Sequence, residues 1–127
     1  MSLNVLVVDD SAVMRSMLIR TLRLSGLPLT NVYQAGNGAE ALATLSAHEV
    51  DLALVDINMP IMNGEQLIEQ VRANPRLAGV TLVVVSTEGS ETRIEALRAR
   101  GVSFVHKPFT PEQVRATVLK VLGVADA

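Results

Sequence analysis

Val5-Leu6-Val7-Val8-Asp9-Asp10 and Leu52-Ala53-Leu54-Val55-Asp56 are two apolar runs that each stop on aspartate. Two more runs end on other polar groups: Val80 to Val85 before Ser86-Thr87, and Val102 to Val105 before His106-Lys107. Short β-branched runs bounded by polar residues read as buried parallel strands. In an open α/β sheet, ligands bind outside the carboxyl ends of the strands. If these four strands are neighbours, three carboxylates, a hydroxyl and an ammonium meet at one end of the sheet. Function is expected there.

Working outward from these runs, helical periodicity fills the gaps. Met14, Met17, Leu18, Thr21 and Leu22 form one apolar stripe, and Gly26 and Pro28 stop that helix. Asn31 to Ala35 is shorter and more polar than the other strands, which suits a sheet edge. Gly36-Asn37-Gly38 turns into a helix carrying Ala41, Leu42 and Leu45. After Asp56, a loop from Ile57 to Gly64 leads into a helix with Leu67, Ile68 and Val71, ended by Asn74-Pro75. Ser90 is a candidate cap for a helix with a thin apolar face, Ile94 and Leu97, flanked by Arg93, Arg98 and Arg100. Thr110-Pro111-Glu112-Gln113 opens the last helix with an N-cap, a proline at the first turn and a capping-box glutamine. Its stripe is Val114, Thr117, Val118, Val121 and Leu122. Five strands and five helices in strict alternation predict an α/β fold, a parallel sheet with helices on both faces.

The bulk properties narrow the classes. A chain of 127 residues fits one domain, 1–127, and 49% hydrophobic with 19% charged residues describes an ordinary globular protein. A net charge of −2 gives no electrostatic case for direct nucleic-acid binding. The absence of cysteine excludes disulfides and thiolate metal sites. No apolar stretch approaches the roughly 20 residues of a membrane helix, and no signal peptide is visible, so membrane insertion is not expected and the default location is cytoplasmic.

Asp9-Asp10-Ser11 reads by itself as a helix N-cap with acids favoured by the helix dipole, and Ser86 as a capping serine. Together the acids ask for more. Carboxylates about 6 Å apart repel by roughly 3 kcal/mol per pair at an effective dielectric of about 20. Converging three of them calls for a cation, and hard oxygen donors without cysteine suggest Mg²⁺. Lys107 is a second clue, because the chain holds nine arginines and only two lysines, Lys107 and Lys120. A compact point charge serves here where a planar fork would not, although two lysines also fit chance composition. A cation, anion-binding donors and a free carboxylate make a phosphoryl-transfer site with an acyl-phosphate intermediate. Asp56 stands alone at its strand end and is the better nucleophile candidate, with Asp9 and Asp10 suited to hold the ion.

Val7-Val8-Asp9-Asp10-Ser11, Asp56-Ile57-Asn58-Met59-Pro60, Gly64, Ser86-Thr87-Glu88 and His106-Lys107-Pro108-Phe109 together resemble response-regulator receiver domains of the single-domain chemotaxis type, over nearly the whole chain. The resemblance implies a flavodoxin-like, doubly wound five-stranded parallel sheet of order 2-1-3-4-5 with five helices. It implies that Asp56 accepts a phosphoryl group from a histidine kinase. Asp10, Asp56 and the carbonyl of Asn58 would bind Mg²⁺ directly, Asp9 through water, and Lys107 would contact the phosphoryl group. Ser86 would be the switch hydroxyl. Phe104 occupies the switch-aromatic position, where many relatives have tyrosine, so a partner contact through a phenol hydroxyl is lost. The output face would be the helix after Ser86, the strand with Phe104 and the last helix, meeting a downstream protein target. Asn58 and Glu88 would tune hydrolytic water and hence the lifetime of the phosphorylated state. A monomer, or a weak dimer formed on phosphorylation, is expected.

Three other readings stand beside this one. A receiver excised from a larger regulator fits the same residues, since one helix and a short tail follow Phe109. A flavin-binding flavodoxin-like protein would want a Ser/Thr-rich loop after the first strand and more than 2% aromatic residues. A phosphohydrolase with an aspartyl nucleophile would space its two first-strand aspartates by one residue, whereas Asp9 and Asp10 are adjacent.

Overall fold

The computed structural model describes residues 2–57, 59–77, 79–87, 91–107 and 109–123. Strands and helices alternate: β1 (Leu3–Val8), α1 (Ala12–Leu24), β2 (Leu29–Ala35), α2 (Gly38–Ala47), β3 (Leu52–Val55), α3 (Gly64–Ala73), β4 (Thr81–Ser86), α4 (Glu91–Ala99), β5 (Ser103–His106) and α5 (Pro111–Val121). The strands form one parallel sheet in the order β2-β1-β3-β4-β5. This is the doubly wound, flavodoxin-like architecture expected from the sequence.

The alternation of side chains across each strand builds two cores. Val5, Val7, Leu52, Leu54, Val83 and Val85 meet Leu18 and Leu22 of α1 and Val114, Val118 and Leu119 of α5. Leu6, Val8, Ala53, Val55, Leu82 and Val84 meet α2, α3 and α4 through Ala41, Leu45, Leu67, Ile68, Val71 and Leu97. Both faces of the central strands are covered, which is why their sequences are continuously apolar.

Some element ends differ from the sequence reading. β2 begins two residues earlier, because Leu3 pairs with Leu29 and its amide donates to the Pro28 carbonyl at 2.8 Å. As an edge strand it is largely exposed, so its polarity hid its length. β4 and β5 each begin one residue after the apolar runs that announced them, and Ser86 is the last strand residue. Met17 faces solvent at 55% exposure, and the buried line of α1 is Leu18 and Leu22. Helix capping follows the expected chemistry. Ser11 accepts from the Met14 amide and Asn37 from that of Glu40. Asn63 with Gln66 and Thr110 with Gln113 form capping boxes. Ser90 lies outside the described residues. Among the described residues, no helix is long and apolar enough to cross a membrane.

The connection from β3 to α3 is held at three points. Gly64 donates to the Ile57 carbonyl at 2.8 Å, and a Cβ at Gly64 would collide with the Asp56 carbonyl oxygen. Gly38, at the start of α2, donates to the Met62 carbonyl at 3.0 Å; a Cβ there would sit 2.9 Å from that oxygen. Between them Ile61 adopts φ 68°, and Met62 donates back to Pro60 at 2.7 Å. This is the rare left-handed γ-turn, strained for a β-branched residue.

Candidate functional site: a carboxylate cluster at the strand ends

Ladder bonding continues one residue past three strands and carries the polar groups into register. Asp56 donates its amide to Val8 at 2.9 Å, Asp9 to Ala35 at 3.1 Å, and Lys107 to Ser86 at 2.9 Å. Val8 is paired with Val55, and Ser86 with His106, so the residues that follow Val8, Val55 and His106 gather at one sheet end. Asp9, Asp10 and Asp56 each present an oxygen, all within 4.8 Å of one another. At that separation ionised carboxylates repel by about 3.5 kcal/mol per pair at a dielectric of about 20.

The three acids occupy different environments. Asp9 is buried, one oxygen accepting the Ser11 amide at 2.9 Å and the other the Lys107 ammonium at 2.9 Å. Asp10 is exposed. Asp56 is intermediate, with Lys107 Nζ 4.0 Å from its Oδ2. Burial pushes the Asp56 carboxyl above the ordinary carboxylate range. The Lys107 charge opposes that rise, the Asp9 charge adds to it, and hydrogen bonds from Ser86 and the Ile57 backbone oppose it. The Ser86 side chain is wholly buried. With all three acids ionised, one ammonium leaves two negative charges in an all-oxygen pocket. That donor set and that charge fit a hard divalent cation.

A description of the response regulator receiver domain matches residues 5–119. The chain belongs to this family. Chemotaxis protein CheY1 of Helicobacter pylori J99 is 37% identical over 126 residues, covering 98% of this chain and all of that protein. The structure of the chemotaxis response regulator CheY4 of Vibrio cholerae superposes with a TM-score of 0.82 at 32% identity, covering 95% of this chain and 99% of that one. A chain from the CheX-CheY-BeF3-Mg²⁺ complex of Borrelia burgdorferi matches with a TM-score of 0.85 at 24% identity, over 94% of this chain and 89% of that one, and shares the fold. The receiver is thus a phosphoacceptor response regulator, similar to chemotaxis proteins throughout.

Asp9, Asp10, Asp56, Ser86 and Lys107 lie together in the receiver as the sequence led one to expect. Phe104 lies apart on β5. It is paired with Val84, is partly buried against the core shared by α2, α3 and α4, and meets the His106 ring edge-on at 4.6 Å. Asn58 and Glu88 lie outside the described residues. Three features were not read from the sequence. Arg15 of α1 donates to the Asp9 carbonyl at 2.6 Å and to Gln34 Oε1 at 3.1 Å. An apolar cavity of about 250 Å³ opens beside Lys107 between Met14, Met17, Thr21, Thr87 and Phe109. Ion pairs to α3 run from Arg93 of α4 to Glu65 and from Arg100, just past the end of α4, to Glu69. The sequence shows these arginines flanking the thin face of α4, but partners 28 and 31 residues away leave no local pattern.

Proposed function

We propose that Asp56 is the phosphoacceptor, receiving its phosphoryl group from a histidine kinase phosphohistidine, with the chain acting as one receiver domain, 1–127. The observation that carries this reading is the Lys107 ammonium, bonded to Asp9 at 2.9 Å and standing 4.0 Å from Asp56. An ammonium between the two acids can follow the charge that builds on a phosphoryl oxygen without leaving the pocket. Asp10 and Asp56, with the Asn58 carbonyl, would hold Mg²⁺ directly and Asp9 through water. When bound, the ion supplies charge neutralisation for the transferring group.

The chain's own residues do the rest. The Asp56 oxygen attacks phosphorus in line, and the P–N bond to the donor imidazole breaks, leaving the electron pair on nitrogen. Lys107 and the Ser86 hydroxyl then hold phosphoryl oxygens. Water later attacks phosphorus, the P–O bond to Asp56 breaks, and inorganic phosphate leaves the regenerated carboxylate, with Asn58 and Glu88 setting the access of that water, so the domain catalyses both its loading and its unloading. Ser86 moving onto the phosphoryl group biases Phe104 and the α4, β5 and α5 face, which meets a downstream protein, in chemotaxis by similarity to the relatives. The thin apolar contribution of α4, Ile94 and Leu97, lets that helix shift at low cost. A cytoplasmic monomer, or a weak dimer formed on phosphorylation, fits this role.

Binding of beryllium fluoride with Mg²⁺, measured by calorimetry, tests the assignment. The native chain should bind in a Mg²⁺-dependent manner and Asp56→Asn should not. Equal binding by both would remove Asp56 from the role.

A further inference from the structure

Asp10 contrasts with its two companions. Asp9 has every polar atom engaged: its amide on Ala35, its carboxylate on Ser11 and Lys107, its carbonyl on Arg15. Asp56 is held by Ser86 and the Ile57 backbone. Among the described residues nothing bonds the Asp10 carboxylate, although it completes the acid triad. Its direction is therefore set by its backbone, in particular by the peptide joining Asp9 to Asp10. The carbonyl of that peptide accepts a charge-assisted bond of 2.6 Å from Arg15 Nη1. The guanidinium is itself braced by Nε on Gln34 of β2 at 3.1 Å. Arg15 also lies within the first turn of α1, where its amide donates to Ser11 at 3.0 Å. The contact therefore ties the loop to a rigid helix and to a neighbouring strand.

We propose that Arg15 is a positioning residue for the cation site: its planar fork, held by Gln34, fixes the Asp9–Asp10 peptide and so aims the Asp10 carboxylate. The inference rests on reading the acid cluster as a Mg²⁺ site. A guanidinium has the geometry for this task, because two nitrogens in one plane reach the carbonyl and the amide oxygen together. A merely electrostatic presence predicts the opposite effect. A positive charge beside a cation site repels the cation, so its loss would tighten binding. Positioning groups outside the direct ligand set typically alter metal affinity 10- to 100-fold when removed.

The test is Mg²⁺ titration by calorimetry on the native chain and on Arg15→Gln, Arg15→Lys and Gln34→Leu, with melting followed in EDTA. Arg15→Gln should weaken Mg²⁺ binding roughly tenfold. Arg15→Lys, which keeps the charge but offers no fork, should recover only part of that loss. Gln34→Leu, which leaves the charge untouched, should weaken binding by less than Arg15→Gln does, because the carbonyl keeps its donor and loses only the brace. Melting in EDTA should change little in Gln34→Leu, which keeps the comparison valid if Arg15→Gln folds poorly. Unchanged or tighter Mg²⁺ binding in Arg15→Gln and Gln34→Leu would overturn the role of Arg15 alone. No Mg²⁺ binding by the native chain would overturn the cation site itself, and this inference with it.

Discussion

Lys107 shows how much one side chain can decide. Its side chain is 12% exposed, and its ammonium lies between the carboxylates of Asp9 and Asp56, whose side chains are 5% and 12% exposed. Removing one member of a buried charge group leaves the others uncompensated, at a cost of about 3–5 kcal/mol. Lys107→Met should therefore melt well below the native chain in EDTA, and Mg²⁺ should restore part of the difference. A variant as stable as the native chain in EDTA would show that the ammonium is not needed to hold the acids. The Asp56 carboxyl makes a second, pH-dependent case. Its folded-state pKa lies above the unfolded value, chiefly through burial. The native state then binds more protons than the unfolded state, so this group's contribution falls as pH rises through the ordinary carboxylate range and beyond. Asp56→Asn should raise the melting temperature by a few degrees at pH 7.5 in EDTA, with the gain shrinking toward pH 3. A gain that grows on acidification would contradict the sign.

Among the connections, the β3–α3 loop carries the clearest strain. Ile61 sits at φ 68° and is 83% exposed, so it is held left-handed without burial to offset the cost. Left-handed backbone costs an L-residue about 1–2 kcal/mol, and glycine returns part of that through unfolded-state entropy. Ile61→Gly should raise stability by roughly 0.5–1 kcal/mol in denaturant unfolding. A loss of stability would mean that the isoleucine side chain contributes more than its strained backbone costs. α4 is the next element to test. Its buried apolar residues are Ile94 and Leu97, and among the described residues ion pairs run to α3 from Arg93 and from Arg100, one residue past its end. Exposed ion pairs contribute about 0–1 kcal/mol each, far less than an apolar seam. Hydrogen exchange should run about tenfold faster in α4 than in α3, whose Leu67, Ile68 and Val71 are wholly buried. Equal protection of both helices would remove the argument for a loosely held α4.

Across the whole molecule, the sequence was most readable where one force dominates. The central strands are buried on both faces, so continuous apolar runs marked them, and their polar stops marked the site. The edge strand β2 reads as starting at Asn31 and not at Leu29, because an exposed edge position tolerates the polar Thr30 that separates Leu29 from the rest of the run. Met17 falls on the apolar stripe yet faces solvent, because a helical stripe says which residues share a face, but not how wide the buried seam is. Arg15 escaped notice because a guanidinium reaching a backbone carbonyl has no composition or spacing to announce it. Strain at Ile61 was equally silent, since only the fold dictates the sign of φ. The close approach at Gly64 belongs to the same class: its reason is the Asp56 backbone beneath it.

The order of the strands has a consequence in time. Asp9 and Lys107, bonded in the finished site, are 98 residues apart. During synthesis the acids, the loop and Ser86 all emerge before the ammonium does, and Lys107 reaches them only when β5 takes its place at the sheet edge. A nascent chain lacking β5 holds a carboxylate cluster without the ammonium that stands beside Asp9 and Asp56 in the finished site. Competence to receive a signal thus arrives with the final strand. On the proposed function, the regulator becomes addressable only once its proposed output face, built in part from that same strand, also exists.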